Sequence, residues 1–210
     1  MSVMPMGVSP RVFSLVALVW ILYFGLAVLA LHLLPTGYDP LTHAVSDYAV
    51  GAYGPVMDSA FVAFGIGVFS LAIALSRPDS SSVVRSRLGV PLLSLAGACL
   101  LAVGFFPTDL EGAPATTTGD IHTSLSAIVF LAMVVSLPVL SRAFGRSEKL
   151  RSYRRFSLAL AIVVVALFFV ADATISEGVY GGLGERVFIL GFYSWLLLAT
   201  IRVYRASSSG

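Results

Sequence analysis

The feature that most constrains this chain is a series of long apolar segments separated by short polar connections. Six such segments occur within the 210 residues, and each is about 20 residues long. An α-helix that rises about 1.5 Å per residue needs about 20 apolar residues to cross the hydrocarbon core of a bilayer. Backbone amides in that core have no water to bind, so helices are the expected structure. We predict membrane spans over residues 12–34, 59–76, 89–106, 121–140, 156–174 and 187–203.

The composition excludes an ordinary soluble domain. Hydrophobic residues make up 58% of the chain and charged residues only 11%, whereas roughly a quarter of a soluble domain is charged. The alternating pattern of a lipid-facing β-barrel strand is absent, and a net charge of +2 gives no reason to expect a nucleic-acid partner. The sequence therefore predicts an all-α polytopic membrane protein. Its six transmembrane helices form one bundle, a single domain over residues 1–210, with membrane lipids as partners.

The basic residues predict the orientation of this bundle. With six spans, every Lys and Arg except Arg186 falls on the face that also carries both termini. An excess of Lys and Arg marks the cytoplasmic side of a membrane protein. We therefore expect a multi-pass protein of the cell membrane with its N- and C-termini in the cytoplasm.

The opposite face collects all three histidines and most of the acidic residues. An ionisable residue within a membrane span is a candidate functional residue, because burying a charge in lipid is costly. We therefore expect a polar site that faces outward, beneath the connections on this face. The candidate ligand-binding residues are His43, Ser46, Asp47, Asp109, Asp120, His122, Ser126, Asp172, Glu185 and Arg186.

The connection between the first two spans carries helix signals. Asp39 followed by Pro40 is typical of a helix N-cap with proline in the first turn. These signals predict a short interfacial helix over residues 40–50. On such a helix His43, Ser46 and Asp47 would lie on one face, because residues three and four apart are neighbours.

Simple structural roles compete with a functional site. Asp120 is placed to stabilise the positive N-terminus of the fourth helix, and Asp109 fits turn or cap chemistry. Asp172 is expected to pair with Arg186, the one basic residue on that face. His122 has no comparable structural explanation in the sequence.

Four short segments carry a resemblance to a known family: residues 43–51, 53–54, 106–109 and 119–122. In combination they resemble the bacterial and archaeal family named domain of unknown function 998, over nearly the whole chain. The resemblance implies a six-helix membrane protein with an outward polar site. It implies no established reaction.

Three functions remain open, and whether the protein is an enzyme is left undecided, with no catalytic residue assigned. The first function is binding of a lipid headgroup or small ligand at the polar site. The second is a metal-dependent hydrolase that cleaves a lipid amide or ester at the outer leaflet. Zinc accepts imidazole and carboxylate ligands and lowers the pKa of a bound water. The zinc would be held by His43, His122 and Asp109, with Asp47 and Asp120 as alternative carboxylates. The third function is a transporter.

Overall fold

The computed structural model describes residues 9–77, 84, 86–110, 112–178 and 180–207. Within these ranges the chain forms six α-helices and three short 3-10 helices, and it contains no β-strand. The 3-10 helices cover Val45–Ala49, Phe144–Arg146 and Arg151–Tyr153. The α-helices are α1 (Pro10–Leu33), α2 (Gly54–Ser76), α3 (Gly89–Val103), α4 (Thr117–Ala143), α5 (Arg154–Ser176) and α6 (Gly181–Ser207).

The predicted all-α architecture of six helices is confirmed. Five of these six α-helices, all except α3, are long and apolar enough to cross a membrane. Helix α3 begins at Gly89 as predicted but ends at Val103, three residues before the predicted end at Phe106. The chain turns at Gly104, where the backbone lies directly against α2 at Asp58.

The helices form a closed ring. Each packs against its neighbours in the chain, and α6 packs back against α1. Helix α2 is the most enclosed of the long helices. The others expose large apolar side chains on the outside of the ring, such as Leu26 (66% exposed), Phe169 (62%) and Leu190 (62%). Lipid tails, rather than water, are the solvent that suits so continuous an apolar surface.

Helices α2 and α3 approach each other through glycine. A Cβ atom built on Gly97 would lie 2.7 Å from the backbone nitrogen of Phe69, and one on Gly65 would collide with the backbone of Leu101. Small residues at such positions let two helix backbones come close, which maximises van der Waals contact where lipid supplies no hydrophobic driving force. The α2–α3 contact therefore depends on the absence of a side chain at these two positions.

A buried tryptophan joins three helices in the other half of the bundle. The indole Nε1 of Trp195 on α6 donates to Ser141 Oγ on α4 at 3.1 Å and to the Ser157 carbonyl oxygen on α5 at 3.0 Å. All three residues are fully buried. The indole N–H is therefore satisfied inside the protein, as a polar group in an apolar interior requires.

The two ends of the bundle differ in charge. One end, which we call the acidic end, is formed by the α1–α2, α3–α4 and α5–α6 connections. The other end carries the start of α1, the end of α6 and the α4–α5 connection. We call it the basic end. There Arg11 donates to the hydroxyl of Tyr204 at 3.2 Å, and Lys149 donates to the carbonyl oxygen of Ala206 at 3.0 Å.

The glycine contact between α2 and α3 is testable by substitution. Gly97→Val is expected to lower the free energy of unfolding by about 1–3 kcal/mol, because the new side chain must push α2 away. The neighbouring Ala98 is exposed, so Ala98→Val is the matched control and is expected to change stability by less than about 0.5 kcal/mol. Melting temperatures in detergent measure both effects. Equal melting temperatures for the two variants would contradict the close approach.

Candidate functional site

The α1–α2 connection folds over the acidic end and is held there by the start of α6. The backbone N–H of Leu183 donates to the carbonyl oxygen of Leu41 at 3.0 Å. The backbone N–H of Val45 donates to Glu185 Oε2 at 2.7 Å. A carboxylate that accepts a backbone N–H makes a stronger bond than a neutral acceptor does. Glu185 therefore fixes the position of the 3-10 helix that begins at Val45.

Arg186 reinforces the same attachment. Its Nη1 donates to the carbonyl oxygen of His43, and its Nε donates to His32 Nε2 at 2.9 Å. The guanidinium also lies over the ring of Tyr48, 5.5 Å from the ring centre. The predicted ion pair between Asp172 and Arg186 is wrong, since the described residues show no such contact. The guanidinium instead donates hydrogen bonds to the α1–α2 connection and to α1.

Gly182 lets the connection lie directly on α6. A Cβ atom at this position would collide with the backbone carbonyl of His43 and would lie 2.9 Å from its backbone nitrogen. Because the obstacle is backbone, no side-chain rotation can relieve the clash. The contact between the connection and α6 therefore requires glycine at position 182.

The predicted helix over residues 40–50 is also wrong. Turns cover residues 40–42, and a 3-10 helix follows at Val45–Ala49. Asp39 Oδ1 accepts from the Leu41 backbone N–H at 2.9 Å, and Asp47 Oδ2 accepts from the Ala44 N–H at 3.0 Å. These side-chain bonds compete with helix hydrogen bonds. Consequently His43 does not share a helix face with Asp47.

Tyr38 ties the two ends of this connection together. Its hydroxyl donates to the carbonyl oxygen of Val50 at 3.1 Å. Burial, and then the nearby Asp47 carboxylate, raise the pKa of the Tyr38 phenol. The phenol therefore stays protonated at neutral pH and keeps its role as a hydrogen-bond donor.

Asp109 stabilises the start of α4. Its Oδ2 accepts from the Thr116 backbone N–H at 2.7 Å, and its Oδ1 accepts from the Thr116 hydroxyl at 2.8 Å. The Thr116 hydroxyl oxygen in turn accepts from the Gly119 N–H at 3.1 Å and caps the helix. Asp120 is exposed in the first helical turn, where a negative charge favours the helix dipole. Both carboxylates therefore have the structural roles that their positions in the sequence suggested.

His122 lies one turn further along α4 and is only 4% exposed. Its Nδ1 lies 2.7 Å from the carbonyl oxygen of Phe106, three residues beyond the end of α3. A carbonyl oxygen only accepts hydrogen bonds, so Nδ1 carries a proton, and in the neutral imidazole the lone pair is then on Nε2. Within the described part of the chain, Nε2 has no hydrogen-bond partner.

His122 lines a cavity of about 410 Å³ between the helices, below the α1–α2 connection. We call it the central cavity. The structure brings Ser46, Ser126, Asp172 and Glu185 to the same cavity. These residues come from the α1–α2 connection and from α4, α5 and α6, so four separate parts of the chain supply the polar wall. This arrangement agrees with a polar pocket at the acidic end.

Aromatic side chains line the apolar part of the central cavity, and sequence reasoning did not identify them. Phe24 and Phe64 stack with ring centres 4.1 Å apart, and Phe192 stacks against Phe64 at 6.1 Å. Phe61 contacts His122 edge to face, and Phe130 completes the lining. The cavity is therefore polar on one side and aromatic on the other.

A second cavity, of about 330 Å³, lies nearer the loops and has a more polar lining. We call it the antechamber. Ser46, Thr108 and Glu185 line both spaces, and Asp47 and Asp109 line the antechamber alone. The two spaces share lining residues, so they are neighbours, with the more polar lining in the antechamber and the more apolar lining in the central cavity.

A third space is a groove of about 630 Å³ between α1 and α6, on the outside of the ring. Its walls include the apolar side chains Leu26 and Leu190, and it also reaches Arg186. We call it the α1–α6 groove. Three side chains line both this groove and the central cavity: Phe24, Val45 and Ile189.

The three proposed zinc ligands have different hydrogen-bond partners. His43 packs beside Tyr38 and accepts or donates a hydrogen bond with Thr42, and it lines neither cavity. Among the described residues, no group of three or more His, Cys, Asp or Glu side chains is placed to share a metal ion. Both oxygens of Asp109 are engaged by Thr116. The zinc site of His43, His122 and Asp109 stays a prediction from the sequence.

Comparison with known proteins identifies one family. The model of a family described as protein of unknown function (DUF998) matches residues 14–202. No curated protein and no solved structure gives a significant match. The matched range includes every polar residue that lines the central cavity.

The attachment of the α1–α2 connection to α6 can be tested at two adjacent glycines. Gly182→Ala is expected to lift the connection from α6, because the added Cβ meets the His43 backbone. Amide exchange at Val45 and Leu183 should then be about tenfold faster or more, which corresponds to about 1.4 kcal/mol.

Gly181→Ala is the matched control, because a Cβ there makes only an ordinary contact, 3.4 Å from Ile175. Hydrogen–deuterium exchange with mass spectrometry compares the two variants with the parent. Unchanged exchange in Gly182→Ala would show that α6 does not hold the connection.

Proposed function

The chain belongs to the DUF998 family of proteins of unknown function, and we propose that it binds an amphiphilic ligand, a lipid or lipid-like molecule, within the membrane. The observation that carries this proposal is the central cavity, in which polar groups line one side and phenylalanine rings line the other. A ligand with a polar head and an apolar tail matches both sides.

The dimensions of the cavity support a ligand of this kind. Small-molecule sites commonly enclose about 300–1,000 Å³ and are mainly apolar, with a few polar groups that fix orientation. The central cavity, at about 410 Å³, falls within this range. The antechamber adds a polar space that suits a headgroup. The tail would then lie against the aromatic wall formed by Phe24, Phe64 and Phe192.

The position of the cavity favours a ligand that comes from the bilayer. The α1–α6 groove lies on the outer surface of the ring, among exposed apolar side chains that suit contact with lipid. It shares the lining side chains of Phe24, Val45 and Ile189 with the central cavity. A lipid in the groove would therefore contact side chains that also line the site, whereas a ligand from water would approach through the antechamber.

We propose further that the acidic end faces outward from a cell membrane and that both termini lie in the cytoplasm. The support is the strong bias of Lys and Arg toward the basic end, with Arg186 as the exception. The ligand's head would then lie at the outer leaflet.

Lipid binding can be tested by filling the cavity. Ser126 lines the central cavity and is half-buried, whereas Ser124 is exposed two residues away on α4 and does not line it. Ser126→Phe is expected to remove a lipid that co-purifies with the parent protein, because the ring occupies the space of the ligand. Ser124→Phe, the matched control, should retain that lipid.

Mass spectrometry of extracted lipids, compared with the bulk membrane, measures the enrichment in each variant. A parent protein with no lipid above its bulk abundance would contradict the proposal. Equal enrichment in both phenylalanine variants would contradict this location of the site.

The orientation can be tested with single cysteines. Cys99 is the one native cysteine and is buried in α3, so Cys99→Ala provides the background. Ala115→Cys at the acidic end and Ser152→Cys at the basic end introduce exposed thiols. A membrane-impermeant maleimide should label position 115 in intact cells and position 152 only after the cells are opened. The reverse pattern would overturn the proposed orientation.

A further inference from the structure

We infer that the head of the bound amphiphile is a hydrogen-bond donor without negative charge, an amine or a hydroxyl group, rather than a phosphate or carboxylate. This inference rests on the proposed function, since it specifies the chemistry of the ligand in the same cavity. Two independent features of the cavity lead to it: the Nε2 acceptor of His122 and the sign of the charges around it.

His122 presents an acceptor to the cavity. The ring is 4% exposed and lines the central cavity, and its Nδ1–H is used by the carbonyl oxygen of Phe106. Nε2 therefore has no hydrogen-bond partner among the described residues, and it is an acceptor on a ring that lines the cavity. A ligand that donates a hydrogen bond can pair with Nε2, whereas an ionised phosphate oxygen, which only accepts, cannot.

The acidic side chains around the cavity also favour a donor head over an anionic head. Asp172 and Glu185 line the central cavity, and Asp47 and Asp109 line the antechamber. In the described ranges, no Lys or Arg lines either space. An anionic head would lose its hydration beside these acidic side chains, with no lining cation to offset that cost. An ammonium or hydroxyl head can donate to His122 Nε2 and to the carboxyl oxygens of Asp172 and Glu185.

Arg186, the cation closest in sequence to these carboxylates, does not change this balance. It lines the α1–α6 groove and neither cavity. Its Nη1 and Nε are bonded to His43, Gly182 and His32, while its buried Nη2 has no hydrogen-bond partner among the described residues. Because Arg186 does not line the central cavity, an anion there would have no direct contact with the guanidinium.

The test compares three ligands that share one tail: dodecylamine, dodecanol and dodecyl phosphate. The parent protein is purified in a sterol-based detergent, which has no alkyl chain to compete for the cavity. Equilibrium dialysis and native mass spectrometry then give a dissociation constant for each ligand. We expect the amine and the alcohol to bind at least tenfold more tightly than the phosphate.

A variant of His122 can remove the acceptor Nε2 and keep a hydrogen bond to the Phe106 carbonyl oxygen. Asparagine carries an N–H at the δ position that can still donate to Phe106 and has no atom at the ε position. His122→Asn is therefore expected to keep a melting temperature close to that of the parent and to bind dodecylamine at least tenfold more weakly. If the variant does not fold, the comparison of heads on the parent protein still decides the inference.

The outcomes distinguish this inference from the proposed function. Tighter or equal binding of dodecyl phosphate, lost in Ser126→Phe, would overturn the inference and leave the proposed function standing. Binding of none of the three ligands would overturn the proposed function and the inference with it. Unchanged dodecylamine binding in a folded His122→Asn would overturn the role of His122 as the acceptor.

Discussion

The attachment of the α1–α2 connection to the first turn and a half of α6 is the interaction on which the arrangement of the acidic end depends. Leu183 and Glu185 bond the backbone at Leu41 and Val45, and Gly182 allows the contact. Helix α6 also packs on α1 and so closes the ring, and the bonds to the connection place Ser46 over the cavity. Without them the polar wall would lose the part that comes from the connection.

The membrane-spanning helices were predictable because the bilayer imposes one solution on a long apolar segment: a helix whose backbone bonds are all internal. The structure agrees with the six predicted helices, and α3 departs at its end, where Gly104 packs on α2. The connection at residues 40–50 was not predictable by the same means. Its local signals indicate a helix, but the Val45 N–H bonds to Glu185, which lies 140 residues away in the chain.

The candidate site was predictable in its polar half only. His122, Ser126, Asp172 and Glu185 were identifiable because polar groups are rare and costly in apolar segments, and the structure places all four at one cavity. The phenylalanines opposite were not identifiable, since an aromatic residue in a membrane span looks the same in sequence whether it faces lipid, core or cavity. The pairing of Asp172 with Arg186 failed for a related reason: opposite charge predicts attraction but not which neighbours the fold supplies.

The central cavity and the α1–α6 groove share three lining side chains, those of Phe24, Val45 and Ile189. Side chains in a packed interior have little spare volume. A rotation of Phe24 or Ile189 that enlarges one compartment must therefore shrink the other. An occupant of the groove that turned either side chain inward would therefore leave less room in the cavity.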